Sequence, residues 1–405
     1  MYHQRTLKQR WNDISGQFPV LLLTGPRQVG KTTFLKHIAE KDRTYVTFDD
    51  PDARLLATED PAMFFRRYRP PILIDEIQYA PSILQHIKIQ VDQDRRPGMF
   101  WLTGSQQFLM MKGVSETLAG RIGIINLLGF SAAERYQYEL HNSPFLPTSD
   151  QLEQRQQSKR YDLENIYHDI WTGCFPELIA GSITDWDVFY SSYLRTYLER
   201  DVKDLTKVGD ERAFLTFLRA CAARTGQMLN LTELANDTDV AVKTAKNWLS
   251  ILEASFQVYL LQPYHSNLTK RLVKRPKLYF LDTGLCAYLT QWTSPEALAA
   301  GAMAGPILET YIFSELLKDW WHQAKNPSIY YYRDKDKVEI DFLITQNQMF
   351  YPLEVKKSAS PKKSWISPFN KLSRLGTVAS GGVICLGNEL LPLGDNNYVI
   401  HANLL

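Results

Sequence analysis

A chain of 405 residues is too long for one ordinary hydrophobic core, so two or three domains are expected. An apolar share of 44% with 22% charged residues is ordinary for soluble globular protein. The net charge of +2 excludes an argument for nucleic acid from overall charge, so any such argument must be local.

The opening residues, MYHQRTLKQRW, lack the apolar core of a signal peptide. No apolar run approaches the roughly 18 residues of a membrane span. A cytoplasmic protein with no membrane partner is therefore expected. In chain order, residues 20–24 (VLLLT) read as a fully buried strand, and TTFLKHIAE carries apolar residues at helical spacing. Further strands are expected at 44–48 (TYVTF), 71–75 (PILID) and 99–105 (MFWLTGS). Continuous apolar strands separated by helix-length segments indicate a parallel sheet covered on both faces. Residues 141–160 are polar and contain proline, which marks a boundary. Helical patterns fill 161–258, and from 328 onward alternation returns in SIYYYRD, KVEIDFLI and FYPLEVKK. The helix at 187–202 carries Phe189, Tyr193 and Tyr197 at helical spacing, a core stripe. Cys174, Cys221, Cys286 and Cys385 lie far apart without metal-ligand spacing and read as buried free thiols. These shifts divide the chain at 1–140, 141–210, 211–290 and 291–405.

Residues 25–33 read GPRQVGKTT: Gly25, Pro26, Arg27, Gln28, Val29, Gly30, Lys31, Thr32 and Thr33. The stretch fits G-x-x-x-x-G-K-[ST] and stands after a buried strand and before a helix, the context a phosphate-binding loop requires. Its glycines permit turns that aim N–H groups at phosphate oxygens, and the helix N-terminus adds a positive dipole. Lys31 suits the β/γ-phosphates and Thr32 a Mg²⁺ ion. Downstream, the strand ILIDE ends in two carboxylates: Asp75 suits the Mg²⁺ shell, and Glu76 a base that polarises the attacking water. In LTGSQQ, Ser105 or Gln106 can hold that water, or the segment is a plain strand-ending turn. Arg121, beside Gly120, is either an arginine finger for a neighbouring subunit's nucleotide or a surface salt-bridge residue.

GPRQVGKTT, LIDEIQ, LTGSQQF and LAGR, in this order and spacing, resemble the AAA-type ATPases of a large prokaryotic family whose members carry a C-terminal domain of unassigned function. TYLERDV (196–202), ARTGQMLN (223–230), KRLVKRPKLYFLDTGL (270–285) and PLEVKKS (352–358) are similar to that family too, so the resemblance runs from 18 to about 385. It implies an ATP-binding and ATP-hydrolysing protein and leaves the biological role open. From the helical region, Arg195, Arg200 and Asp201 are candidates for sensing the nucleotide.

Residues 211–282 read as a winged-helix module. NLTELANDTDVAVKTAKNWLSIL offers a short helix at 232–236, a turn at Asn236-Asp237 and a second helix at 241–252. Val242, Ala245, Leu249 and Leu252 are expected to face the core, leaving Lys243, Thr244, Lys246 and Asn247 on a polar recognition face. Lys270, Arg271, Lys274, Arg275 and Lys277 place five basic groups in eight residues, a cluster able to neutralise phosphates. Such modules also bind proteins, and both readings stand.

In KVEIDFLI, Val338, Ile340 and Phe342 are expected on one face, with Glu339 and Asp341 on the other. A hairpin would set Glu354 and Lys356 of YPLEVKK beside Asp341, with Glu309 supplied by an upstream helix. This set resembles the PD-(D/E)xK nuclease pattern, in which carboxylates hold Mg²⁺ and the lysine positions water. The Pro-Asp pair is absent; Glu339-Ile340-Asp341 stands there instead. The run KKSASPKKSWISPFNKLSR adds six basic residues and no acidic one.

The expected fold is thus an α/β, AAA-type P-loop ATPase domain followed by a helical and winged-helix region and an α+β restriction-endonuclease-like domain. Expected cofactors are ATP and Mg²⁺, and the expected partner is nucleic acid, DNA before RNA, with homo-oligomers suggested by Arg121. A protein-remodelling switch and an ATP-gated nuclease are the alternative readings.

Overall fold

The computed structural model describes residues 2–104, 117–138, 143–158, 166–197, 210–265, 275–387 and 389–405. Five parallel strands, β1 (Val20–Thr24), β2 (Thr44–Thr47), β3 (Ile72–Asp75), β4 (Phe100–Gly104) and β5 (Ile122–Asn126), form the first sheet in the order β2-β3-β4-β1-β5. Four of them are the expected strands. The fifth escapes a reading by apolar runs because Gly123 interrupts it, yet it pairs with β1 in register, Val20 opposite Ile122.

Alternation across these strands builds a layer on each face. Leu21, Leu23, Leu73 and Trp101 pack with Leu7 and Trp11 of the helix Leu7–Ser15 and with Phe34 and Leu35 of the helix Lys31–Ile38. Val20, Leu22, Ile72, Ile74, Phe100 and Leu102 pack on the other side with Phe48, Phe64, Ile83 and Ile87. Burying one such side chain is worth about 1.5–3 kcal/mol.

The helices Ile166–Thr172, Pro176–Ile179 and Trp186–Tyr197 follow. Phe189, Tyr193 and Tyr197 are buried, as their spacing predicts, and all four cysteines are buried free thiols. Next come the helix Glu211–Ala222, β6 (Gln227–Met228), the helices Leu231–Asp237 and Val242–Ala254, then β7 (Val258–Leu261) and β8 (Lys277–Phe280). The three strands form an antiparallel sheet in the order β6-β8-β7. Ala245, Leu249 and Leu252 face the core as expected, whereas Val242, the first residue of its helix, is 44% exposed.

The C-terminal domain opens with the 18-residue helix Ala304–Trp321, so Glu309 lies in its second turn and does not begin the helix. Then come β9 (Ile329–Arg333), β10 (Glu339–Gln346), β11 (Met349–Lys356), β12 (Thr377–Val378), β13 (Gly381–Cys385), β14 (Leu391–Gly394) and β15 (Asn397–His401). They form a mixed sheet in the order β14-β15-β13-β11-β10-β9, with β12 beside β11. The pairing of β10 with β9 slips between Ile340 and Leu343. Consequently Ile340 and Phe342 join different clusters, against the simple alternation expected there. No helix among the described residues is long and apolar enough to cross a membrane.

One apolar cluster runs through the helical region, the three-stranded sheet and the C-terminal domain, and reaches Val29 and Leu128 in the first domain. Charges are buried in the same seam. Glu134, fully buried, lies 3.3 Å from both Arg5 Nε and His322 Nδ1. Burial pushes its carboxyl up, but Arg5 and His322 outweigh that and hold it at about 2. His322 Nε2 accepts from the Leu128 N–H at 3.2 Å, which leaves the ring proton on Nδ1 facing Glu134; burial pushes the imidazole pKa down. Glu134→Ala removes one partner of a buried network and strands Arg5. It is expected to cost about 3–5 kcal/mol in urea unfolding, where a loss below 1 kcal/mol would contradict this role.

Candidate nucleotide-binding site

The C-terminal ends of β1, β3 and β4 converge on one cleft, the place where open parallel sheets bind ligands. Gly25 has φ +151°, and a Cβ there would stand 1.9 Å from the Leu127 carbonyl oxygen, so only glycine fits between the loop and β5. Gly30, at φ +84°, caps the helix Lys31–Ile38 from a left-handed conformation, leaving the helix N-terminus open toward the cleft. Lys31 is 6% exposed, and its Nζ donates to the carbonyls of Gly25 (3.0 Å) and Pro26 (2.6 Å). The ammonium thus lies across the loop in which a phosphate would be cradled. Val29 contributes backbone alone: its side chain is buried in the shared cluster and its carbonyl accepts from Arg5 at 3.4 Å.

Thr32 Oγ1 donates to Asp75 Oδ1 and Oδ2 at 2.8 and 3.0 Å. Asp75 also accepts from the hydroxyls of Tyr45, at 3.2 Å, and Thr103. Thr103 in turn accepts from the Glu76 N–H at 3.3 Å. Glu76 has φ +56°, a left-handed backbone that costs a residue with a side chain about 1–3 kcal/mol and recurs at functional sites. Its carboxylate accepts from Gln78, and its pKa is raised: burial is the main cause, with Lys31 opposing. A carboxyl tuned upward at the edge of a phosphate-type loop has the character of a general base.

The cleft, about 590 Å³, is lined by Arg27, Gln28, Lys31, Thr32 and Glu76, and closed on the far side by Pro176, Glu177 and Thr196 of the helical region. A second cavity of about 180 Å³ adjoins it at Gly30 and Thr33, with Tyr2, His3, Phe130 and Pro176 in its walls. His3 stacks on Phe130 with ring centres 5.1 Å apart, and the Arg5 guanidinium lies 4.8 Å over the same Phe130 ring. Sequence reasoning missed Tyr45, Thr103, Gln78 and these wall residues. Thr103 lies within LTGS, Gln78 within LIDEIQ and Tyr45 within TYVTF, but none of these stretches marks the residue itself as part of a site. Ser105, Gln106, Arg200 and Asp201 lie outside the described residues. Arg121 stands just before β5, at the opposite edge of the sheet, where its Nε donates to Asp92 Oδ1 at 2.6 Å. It does not reach the phosphate loop of its own chain.

The second set of candidates also converges. The Val355 N–H donates to Asp341 Oδ2 at 2.9 Å, and Glu354 pairs with Lys356, as the expected hairpin requires. Burial and then Asp341 push both Glu309 and Glu354 up to about 7. Among the basic candidates, Lys243, Lys246 and Arg275 are exposed, while Lys270, Arg271 and Lys274 lie outside the described residues. Lys277 is a correction. It is 3% exposed, and its ammonium lies 3.0 Å from Glu309 and 2.7 Å from Glu339, so it is a buried counter-ion and not a phosphate contact.

Comparisons with known proteins match three stretches of the chain. Residues 17–136 match the family described as AAA domain, residues 163–296 a domain of unknown function (DUF8612) and residues 304–405 a domain of unknown function (DUF4143). Among solved structures, the Walker-type ATPase PABY2304 of Pyrococcus abyssi is similar over 71% of this chain and 96% of its own, at 13% identity and a TM-score of 0.45. RuvB of Thermotoga maritima is similar over 63% of this chain and 87% of its own, at 14% identity and a TM-score of 0.31. The uncharacterized proteins Rv2008c of Mycobacterium tuberculosis and Mb2031c of Mycobacterium bovis are each 31% identical over 402 residues, spanning 95% of this chain and 80% of theirs. The chain belongs to the same family as these two mycobacterial proteins, and its N-terminal portion is an AAA-type P-loop ATPase domain.

Proposed function

We propose that the chain is a Mg²⁺-dependent ATPase whose hydrolysis acts on bound nucleic acid, DNA before RNA. One observation carries the ATPase: Lys31, Thr32 and Glu76 line a single cleft at the sheet's C-terminal edge, with Asp75 hydrogen-bonded to Thr32 just behind its wall. Thr32 and Asp75 already share a hydrogen bond and offer the hard oxygen donors that suit Mg²⁺, which keeps several waters and takes few protein ligands. When bound, the ion supplies charge neutralisation on the β- and γ-phosphates. Lys31 exchanges its two loop carbonyls for phosphate oxygens, Thr103 and Tyr45 keep Asp75 oriented, and Glu76 takes up a proton from the attacking water. The adjoining cavity beside His3 and Phe130 suits the nucleotide's base. Arg121, facing away from its own site, would reach the nucleotide of a second copy.

The nucleic-acid target is supported by the helix–strand–helix–helix–strand–strand order over 211–280, which is that of a winged helix, and by exposed Lys243 and Lys246 on its second inner helix. The convergence of Glu309, Asp341, Glu354 and Lys356 favours a nuclease-like C-terminal fold as a second reading.

Glu76→Gln should retain nucleotide binding and lower turnover by about 10²–10⁴-fold, read as phosphate release. Because the Glu76 pKa is raised, the wild-type rate should rise with pH through a range above that of an ordinary glutamate. That limb should vanish in Glu76→Gln; an unchanged rate in the variant would sink the assignment. Against single-stranded, duplex and branched DNA and RNA, the wild-type rate should rise with at least one of them. Each of Lys243→Ala and Lys246→Ala should reduce the salt slope of binding by about 1. Indifference to every nucleic acid would favour a protein-binding module instead.

A further inference from the structure

The phosphate cleft and the smaller cavity beside it share one stretch of wall. Four residues line both: Gly30 and Thr33 from the phosphate-loop stretch, and Pro176 and Glu177 from the helical region. The helical segment sits directly on the loop, since a Cβ built on Gly30 would stand 3.9 Å from Pro176 Cγ. Glu177, exposed in the helix Pro176–Ile179, is the one charged side chain of the four. Among the described residues its carboxylate makes no hydrogen bond or ion pair, so both oxygens are open to a ligand.

The backbone that carries this carboxylate is held on both sides. The Glu177 carbonyl accepts from the N–H groups of Ser182 at 3.0 Å and Ile183 at 3.1 Å. Just before the helix, the buried Phe175 ring packs against Phe189 and Tyr193, with ring centres 5.3 and 4.7 Å away. The Cys174 N–H donates to buried Asp282 at 2.7 Å. The segment is thus anchored in the shared core, and Glu177 is placed at the seam between the two cavities. An acceptor presented from a preorganised backbone loses less freedom on binding, which favours selectivity.

A carboxylate is a poor neighbour for a triphosphate, because like charges repel most where water is scarce. A nucleotide with its phosphates on Lys31 and its base beside Phe130 places its sugar between them, along the wall that the cavities share. The sugar offers hydroxyl donors there, and a carboxylate is an acceptor-only group able to take two of them. Dinucleotide-binding folds set an acidic side chain on a ribose hydroxyl by the same chemistry. We propose that Glu177 reads the ribose: it accepts from the sugar hydroxyls and selects ribonucleoside over deoxyribonucleoside triphosphates. This contact rests on the nucleotide reading of the cleft. It adds a grip from the helical region, so that the bound nucleotide joins that region to the phosphate loop.

The test is titration calorimetry of ATP, 2′-deoxy-ATP and 3′-deoxy-ATP, each with Mg²⁺, into the full chain and into Glu177→Ala and Glu177→Gln. Wild type should bind ATP about tenfold or more tightly than at least one of the deoxy nucleotides, the worth of a hydrogen bond to a charged acceptor. Glu177→Ala should weaken ATP by a similar factor and leave that deoxy nucleotide nearly unchanged, so that the preference disappears. Glu177→Gln keeps an acceptor without the charge, and its preference should fall between the two. Equal affinity for all three nucleotides in wild type, or a preference that survives Glu177→Ala, would overturn the inference and leave the nucleotide site standing. So would a Glu177→Ala variant that tightens all three alike, the mark of a carboxylate that merely repels phosphate. No ATP binding by wild type would overturn the nucleotide reading itself, and the ribose contact with it.

Discussion

A guanidinium buried behind the phosphate loop sets the frame for the rest of this chain. Arg5 donates to the carbonyls of Val29 (3.4 Å), Leu128 (2.6 Å) and Gly129 (3.3 Å), so it ties the N-terminal segment to the loop and to the turn after β5. Its charge is answered by Glu134, which also faces His322 just beyond the helix Ala304–Trp321. Burying such charges is costly unless every partner is present, and here the partners come from three distant parts of the sequence. The C-terminal helix is thereby seated against the back of the nucleotide cleft. Further up the same helix, Glu309 meets Lys277. One helix therefore bonds to the first domain through Glu315 and to the three-stranded sheet through Glu309.

The two regions differ in how they satisfy their carboxylates. At the nucleotide cleft Asp75 is held by the neutral hydroxyls of Thr32, Tyr45 and Thr103, which leave its charge free to attract a cation. Glu76 is raised by burial, as suits a group that must accept a proton. In the C-terminal centre the partners are cations of the chain itself, Lys277, Arg333 and Lys356. The first set of partners is neutral, and the second is charged.

Much of the first domain is legible in sequence because its constraints are local. Gly25, Gly30, Lys31 and Thr32 stand at fixed spacing since a phosphate cradle and a helix start demand them together. The apolar runs give four strands of the sheet, and β5 fails only because Gly123 breaks its run. The walls of the cleft were not legible. Tyr2 and His3, Phe130, and Pro176 come from three separate segments, each unremarkable until the chain folds. Lys277 was misread for a related reason: a run of basic residues looks the same whether a given lysine points to solvent or into a carboxylate centre. The slip in β10 likewise depends on its partner strand, so alternation along KVEIDFLI could not reveal it.

The central claim is that the cleft at the head of the first sheet is a nucleotide seat built by the phosphate loop and Asp75. Titration calorimetry of ATP into the full chain, with and without Mg²⁺, tests it most directly. Wild type should bind ATP more tightly with Mg²⁺ than without it, and Lys31→Ala should lose most of that affinity. Equal affinity for ATP in wild type and Lys31→Ala, or no binding by either, would contradict the account.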